Sequence, residues 1–279
     1  MIRINALNFG YAKSRLLFKD LNLELNAGQI YGILGQNGAG KTTLLKLIAG
    51  LLFPHSGMCG VFGYDARKRH PQMLADVCII PEEFSLPPIK IKTFERIHGA
   101  FFPHFDHEMF SHYLTEFYLS SEDKLTSLSY GQKKKFLLAF GLASNSRLVI
   151  LDEPTNGLDI PSKSQFRKII ASSLNEERTF IISTHQVRDL ESLIDPIVVL
   201  YDGQIIFNQS LERISSKLAF KLIKDEEHSG DVLYSEDLVS GKAGIIRNTG
   251  NEDTQINMEL LFNGIIHNTD AITNEFKNL

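Results

Sequence analysis

Residues 35–43 read Gly-Gln-Asn-Gly-Ala-Gly-Lys-Thr-Thr. Gly35, Gly40, Lys41 and Thr42 keep the spacing glycine, four residues, glycine, lysine, then serine or threonine. Each residue type has a task there. Glycines let Gln36, Asn37, Gly38, Ala39 and the following backbone N–H groups turn inward around phosphate oxygens. A helix that starts at Lys41 adds its positive N-terminus. The Lys41 amine reaches the β and γ phosphates, and the Thr42 hydroxyl can ligate Mg²⁺.

A second chemical cluster is Asp152 and Glu153, directly after the apolar run Leu148–Leu151. Ligands of open α/β sheets bind at the carboxyl ends of such strands. Asp152 is suited to hold Mg²⁺, directly or through water, and Glu153 to orient and deprotonate an attacking water. The plainer reading is a pair of acidic helix caps. His185 ends the run Thr179–Ser183 in the same way. It is an ordinary polar strand end or, beside Lys41 and Glu153, a γ-phosphate contact.

The third stretch is Ser-Leu-Ser-Tyr-Gly-Gln-Lys-Lys-Lys over 127–135. Ser129 is a good N-cap for a helix with Phe136, Leu137, Phe140 and Leu142 on its apolar side. Lys133, Lys134 and Lys135 crowd the first turns, where the helix dipole disfavours cations. They read as a solvated face, or as a helix end turned toward an anion.

The elements that must position these groups are legible as periodicities. Residues 2–9 and 18–25 alternate apolar and polar, as half-buried strands do. Residues 29–34 form a short strand into the glycine loop, and the helix that follows is expected to run to near Pro54. Residues 86–145 read as mostly helical, broken at Pro87-Pro88, Pro103 and Thr126-Ser127. The unbroken apolar runs 148–151 and 179–183 fit strands of a parallel sheet buried on both faces. Residues 197–207 read as a hairpin about Asp202-Gly203. Beyond 211 the texture changes to short strands (231–234 and 243–247) and an amphipathic helix over 257–268. The Met258, Leu261, Phe262, Ile265 stripe reads as core, with a dimer contact as the second reading.

Bulk properties narrow the class. With 29 Lys and Arg against 33 Asp and Glu, the net charge of −4 gives no general drive toward nucleic acid. Cys59 and Cys78 have no metal-like spacing and no disulfide framework around them. The N-terminus lacks the apolar core of a signal peptide, and no apolar run approaches the ~20 residues that span a bilayer. His104, Asp106, His107, Glu108 and His112 read as a solvated helix start rather than a metal site.

Taken together, the motifs resemble those of the ATP-binding subunits of ABC transporters, of the ABC-2 exporter type. Gly35–Thr42 resembles Walker A, and 148–153 Walker B with its glutamate. Leu128–Gln132 resembles the signature, 156–159 the D-loop, and 183–185 the switch histidine motif. Tyr130 stands where a glycine is commoner. Order and spacing match over about residues 1–210.

The resemblance implies an α/β fold of the P-loop NTPase, ABC-type ATPase class. This has a mostly parallel core sheet, an N-terminal antiparallel β subdomain and a helical subdomain (about 86–145), followed here by a small α+β C-terminal extension at 211–279. It implies ATP and Mg²⁺, with adenine stacked on Tyr11. It implies Lys41, Thr42 and Thr43 on the phosphates, Ser129, Gly131 and Gln132 at the γ-phosphate of ATP bound to a partner subunit, and Asp159 of the D-loop among the nucleotide-binding residues. It also implies a homo- or heterodimer, a separate transmembrane permease, and a cytoplasmic chain peripheral on the inner face of the cell membrane. Glu82 takes the place of the Q-loop glutamine, where a carboxylate still ligates Mg²⁺. The competing class is a soluble ABC ATPase acting on ribosomes or DNA. One motif set and the absence of a coiled-coil insertion or basic stripe speak against it. A non-hydrolysing module is disfavoured by Lys41, Asp152, Glu153 and His185 together.

Overall fold

The computed structural model describes residues 1–223, 232–238, 241–250 and 252–277. Strands β1 (Ile2–Phe9) and β2 (Phe18–Leu25) pair antiparallel, with Ile2 opposite Leu25. Their alternation puts Ile2, Ile4 and Leu7 of one strand and Leu21, Leu23 and Leu25 of the other in the core. Next come β3 (Ile30–Leu34) and α1 (Lys41–Ile48). This helix stops well short of Pro54, because Gly50 takes a left-handed φ of 67° just beyond it. β4 (Ser56–Val61) and β5 (Tyr64–Asp65) complete a four-stranded antiparallel sheet in the order β2-β1-β4-β5.

Then come α2 (Pro71–Ala75) and β6 (Val77–Ile80), followed by the helical layer of α3 (Ile91–His98), α4 (His107–Glu116) and α5 (Tyr130–Ala143). β7 (Leu148–Asp152), α6 (Ile160–Ser172), β8 (Thr179–Thr184), β9 (Ile197–Tyr201) and β10 (Gln204–Gln209) finish the central sheet. Its order is β10-β9-β3-β8-β7-β6, parallel throughout except for the β9–β10 hairpin. The hairpin turns at Asp202 and Gly203, both at positive φ.

Burial on both faces explains the unbroken apolar runs. Along β7, Val149 and Leu151 face a core built with the helical layer, while Leu148 and Ile150 face one shared with α1 and the first sheet. β3 and β8 divide their residues the same way. α5 departs from the expected single apolar side. Leu138, Ala139 and Gly141 are buried along with Phe136, Phe140 and Leu142, because the helix lies between α4 and the sheet rather than on the surface.

The chain continues through α7 (Leu211–Lys217) and β11 (Leu218–Ile223), then β12 (Val232–Leu238), β13 (Gly241–Arg247), α8 (Met258–His267) and α9 (Thr269–Asn274). Periodicity alone missed β11, which gains its pairing from β13 in a β11-β13-β12 sheet. Asp231, at the start of one expected strand, lies outside the described residues. Met258, Leu261 and Ile265 are buried in the chain's own core, so that stripe is packing surface. Phe276 meets Phe207 of β10 edge to face at 5.1 Å. Among the described residues no helix is long and apolar enough to cross a membrane.

Candidate functional site at the carboxyl end of the central sheet

β3 runs into the glycine loop, and the loop into α1. A Cβ on Gly35 would come within 2.6 Å of the Leu200 carbonyl, so only glycine fits against β9. Gly38 and Gly40 take φ of 82° and 106°, conformations that L side chains resist. No heavy atom lies within 4 Å of the position a Gly38 Cβ would occupy. The Ala39 N–H donates to the Gln36 carbonyl at 3.2 Å and closes the turn. Lys41 is buried, and its Nζ donates to the carbonyls of Gly35 at 2.8 Å and Gln36 at 3.3 Å.

The acidic strand end faces this loop. Thr42 Oγ1 donates to Asp152 Oδ2 at 2.7 Å, and Ser183 Oγ donates to Asp152 Oδ1 at 2.5 Å. Glu153 is 4% exposed and sits at a φ of 46°, where a residue with a Cβ is strained by about 1–2 kcal/mol. Its N–H is shared between the Ser183 carbonyl at 3.2 Å and the Ser183 hydroxyl at 3.1 Å. Glu153 Oε1 lies 2.8 Å from His185 Nδ1 and 3.5 Å from Lys41 Nζ. With a carboxylate as acceptor, Nδ1 carries the proton. Glu153 Oε2 is buried with no hydrogen-bond partner. A buried, unsatisfied carboxylate oxygen costs free energy, and a water molecule, as an O–H donor, could satisfy it.

These groups open on a cleft of about 800 Å³ lined by Tyr11, Arg15, Asn37 through Thr43, Glu82 and Glu153. Tyr11 is 71% exposed, and its hydroxyl shares a 2.9 Å hydrogen bond with Thr43 Oγ1. Glu82 follows β6, and its Oε1 accepts from Asn156 Nδ2 at 2.9 Å.

Four of the expected residues stand elsewhere. Ser129 and Gln132 close a capping box at the start of α5, where Ser129 Oγ accepts from the Gln132 N–H and Gln132 Oε1 from the Ser129 N–H. Gly131 is the second residue of that helix, and a Cβ there would stand 3.5 Å from the Gly157 carbonyl. Asp159 caps α6 by accepting from the Ser162 N–H at 2.9 Å, and the Ser162 hydroxyl, with that N–H, holds its carboxyl below the usual range. None of the four lines the cleft. In the histidine-rich stretch, Asp106 caps α4, His107 bonds Glu95 and His112 pairs with Glu116.

Two contributors were not legible beforehand. Ser183 holds both Asp152 and the Glu153 backbone, and its only signal was a hydroxyl at the end of an apolar strand beside an acidic one. Lys134 is turned inward rather than solvated, its Nζ donating to the Glu153 carbonyl at 2.8 Å.

Residues 18–156 match the family described as ABC transporter. Over 231 residues the chain is 30% identical to an ABC transporter ATP-binding protein of Methanocaldococcus jannaschii, covering 77% of this chain and 83% of that one. The chain belongs to the ABC transporter ATP-binding proteins. This ABC ATPase is also 30% identical over 198 residues to the Nod factor export ATP-binding protein I of Burkholderia lata, covering 69% and 65% of the two chains. Its fold is shared with an ATP-binding cassette solved as a dimer in a post-hydrolysis state bound to ADP and Pi. There the TM-score is 0.67 at 20% identity, over 76% of this chain and 99% of that one.

Proposed function

We propose that this ABC ATPase powers export through a separate membrane permease, hydrolysing ATP in the cleft at the carboxyl end of β3, β7 and β8. The unpartnered, buried Oε2 of Glu153, held beside Lys41 and His185, carries this reading. Glu153 orients the attacking water and takes its proton. His185 holds the γ-phosphate, and Lys41 leaves its loop carbonyls for the β and γ phosphates. Residues 35–43 cradle the phosphates with backbone N–H groups, and Tyr11 stacks on the adenine.

Mg²⁺ neutralises phosphate charge when bound. Thr42 and Asp152 would hold it, with Glu82 in the Q-loop position. All three are hard oxygen donors. The Thr42 hydroxyl and the Asp152 carboxylate already meet at 2.7 Å, so the two oxygens would be offered to the ion together.

Two such subunits, identical or paired with a relative, close head to tail over two ATP molecules. Ser129, Gly131, Gln132 and Asp159 then face the nucleotide of the partner, which accords with their lying outside this chain's own cleft. Residues 1–210 form the ATPase unit and 211–279 its extension. The chain works on the inner face of the cell membrane, bound to its permease and not to nucleic acid. The export relative supports the direction of transport.

In Glu153→Gln, ATP binding is retained and hydrolysis falls about 10²–10⁴-fold, with a dimer accumulating in ATP. Wild-type turnover in that variant would remove Glu153 from the chemistry. Gentle solubilisation of the tagged chain from its own cell should bring down a polytopic membrane protein; recovery of ribosomes or DNA instead would end the transport reading.

A further inference from the structure

Lys134 is a buried cation for which hydrolysis as described has no use. It is 5% exposed, and isolated buried charges are costly unless paired and hydrogen-bonded. Burial pushes its amine below the ordinary lysine value, against the pull of Glu82, Glu153 and Asp152, which favour the charged form. Its Nζ sits over the Tyr130 ring, 5.4 Å from the centroid. The ammonium reaches one acceptor on the neighbouring strand end, the carbonyl of Glu153, at 2.8 Å.

That carbonyl belongs to the strained residue of the site. A left-handed glutamate persists only where its surroundings over-determine it. Ser183 grips the peptide on the N-terminal side of Glu153, and Lys134 grips the carbonyl on the other side. Hydrogen bonds from an ionised donor are roughly twice as strong as neutral ones. Tyr130 completes the seat. It stacks on Phe84 at 5.5 Å, and its hydroxyl donates to the Glu82 carbonyl at 3.2 Å.

We propose that Lys134 is a positioning residue for Glu153, its buried ammonium fixing the left-handed turn that aims the Glu153 carboxylate at Lys41, His185 and the cleft. This rests on the reading of Glu153 as the group that acts on water.

The test is a cycle of four full-length proteins: wild type, Lys134→Met, Glu153→Gln and the double variant. Lys134→Met keeps an apolar arm of similar length without the donor. Its kcat falls about ten- to a hundred-fold, while KM and the nucleotide Kd stay within about threefold. Its Tm changes little, because the lost donor to the Glu153 carbonyl is offset by removal of a costly buried charge. In the Glu153→Gln background the same change causes no further loss, as expected of groups acting as one unit. Lys134→Arg, which restores a charged donor, recovers part of the lost kcat. If Lys134→Met does not fold, Lys134→Leu, also apolar and without a donor, is read by the same split.

Wild-type kcat in the folded Lys134 variant, a loss confined to KM, or an equal loss in both backgrounds would each overturn the proposal while leaving Glu153 in place. Wild-type turnover by Glu153→Gln alone would overturn the reading beneath it instead.

Discussion

The cleft and the first turn of α5 carry the two halves of the expected ATP site, and they differ in what they lack. At the cleft, polar groups converge with a gap among them. Glu153 Oε2 has no partner, and the space over Gly38 is open. At α5, Ser129 and Gln132 satisfy each other in a capping box, so that helix end is capped within its own chain. The difference teaches that chemistry and completeness have separate sources. On the proposed reading, one chain supplies the base, the lysine and the metal ligands, and closure over the phosphate takes the α5 end of a second subunit.

Lys41→Ala should break the comparison hardest on the cleft side. Losing a charged hydrogen-bonding partner worth about 1.5–3 kcal/mol weakens nucleotide binding roughly 10- to 150-fold, read by titration of the isolated chain. Ser129→Ala acts on the other side. Loss of the cap costs about 1 kcal/mol, lowering Tm by about 2–4 °C, and hydrolysis falls while the isolated chain's nucleotide Kd is kept. A loss of affinity as deep as that of Lys41→Ala would place Ser129 in the cleft and dissolve the distinction.

Smaller effects sharpen the boundaries. Arg188 pairs with Glu259 of α8, with side chains 80% and 49% exposed. Such surface pairs contribute about 0.2–1 kcal/mol, so Arg188→Ala shifts Tm by no more than a few degrees. A larger drop would mean that charge, rather than Met258, Leu261 and Ile265, holds the C-terminal elements. The smallest expected signal is at the cysteines. Burial pushes the Cys59 thiol to about 12 and the Cys78 thiol to about 11. Only thiolates react readily, so a disulfide reagent at pH 8 should label neither in the folded chain and both after unfolding. Rapid labelling of the native protein would show that one of the two core faces opens.

Much was legible in the chain itself, for a physical reason. The glycine loop is a local device, and its spacing follows from the backbone conformations it must adopt. The continuous runs at β7 and β8 announce strands buried on both faces because a one-sided strand would alternate. Ser129 announced its cap for the same local reason.

What the chain alone misread were matters of neighbourhood. Three consecutive lysines look solvated by composition, yet the middle one lies on the buried side of α5 and reaches the Glu153 carbonyl. β11 shows no convincing pattern until β13, some two dozen residues later, offers it a partner. Ser183 is an ordinary hydroxyl until parallel pairing sets it beside Asp152. Sequence by itself determined the phosphate chemistry, the strand-end carboxylates and the family, since those depend on residue types at short fixed spacings. Only the tertiary structure decided which lysine is buried, which glutamate bears the strain and which side chain holds it there, because those depend on contacts between segments far apart in the chain.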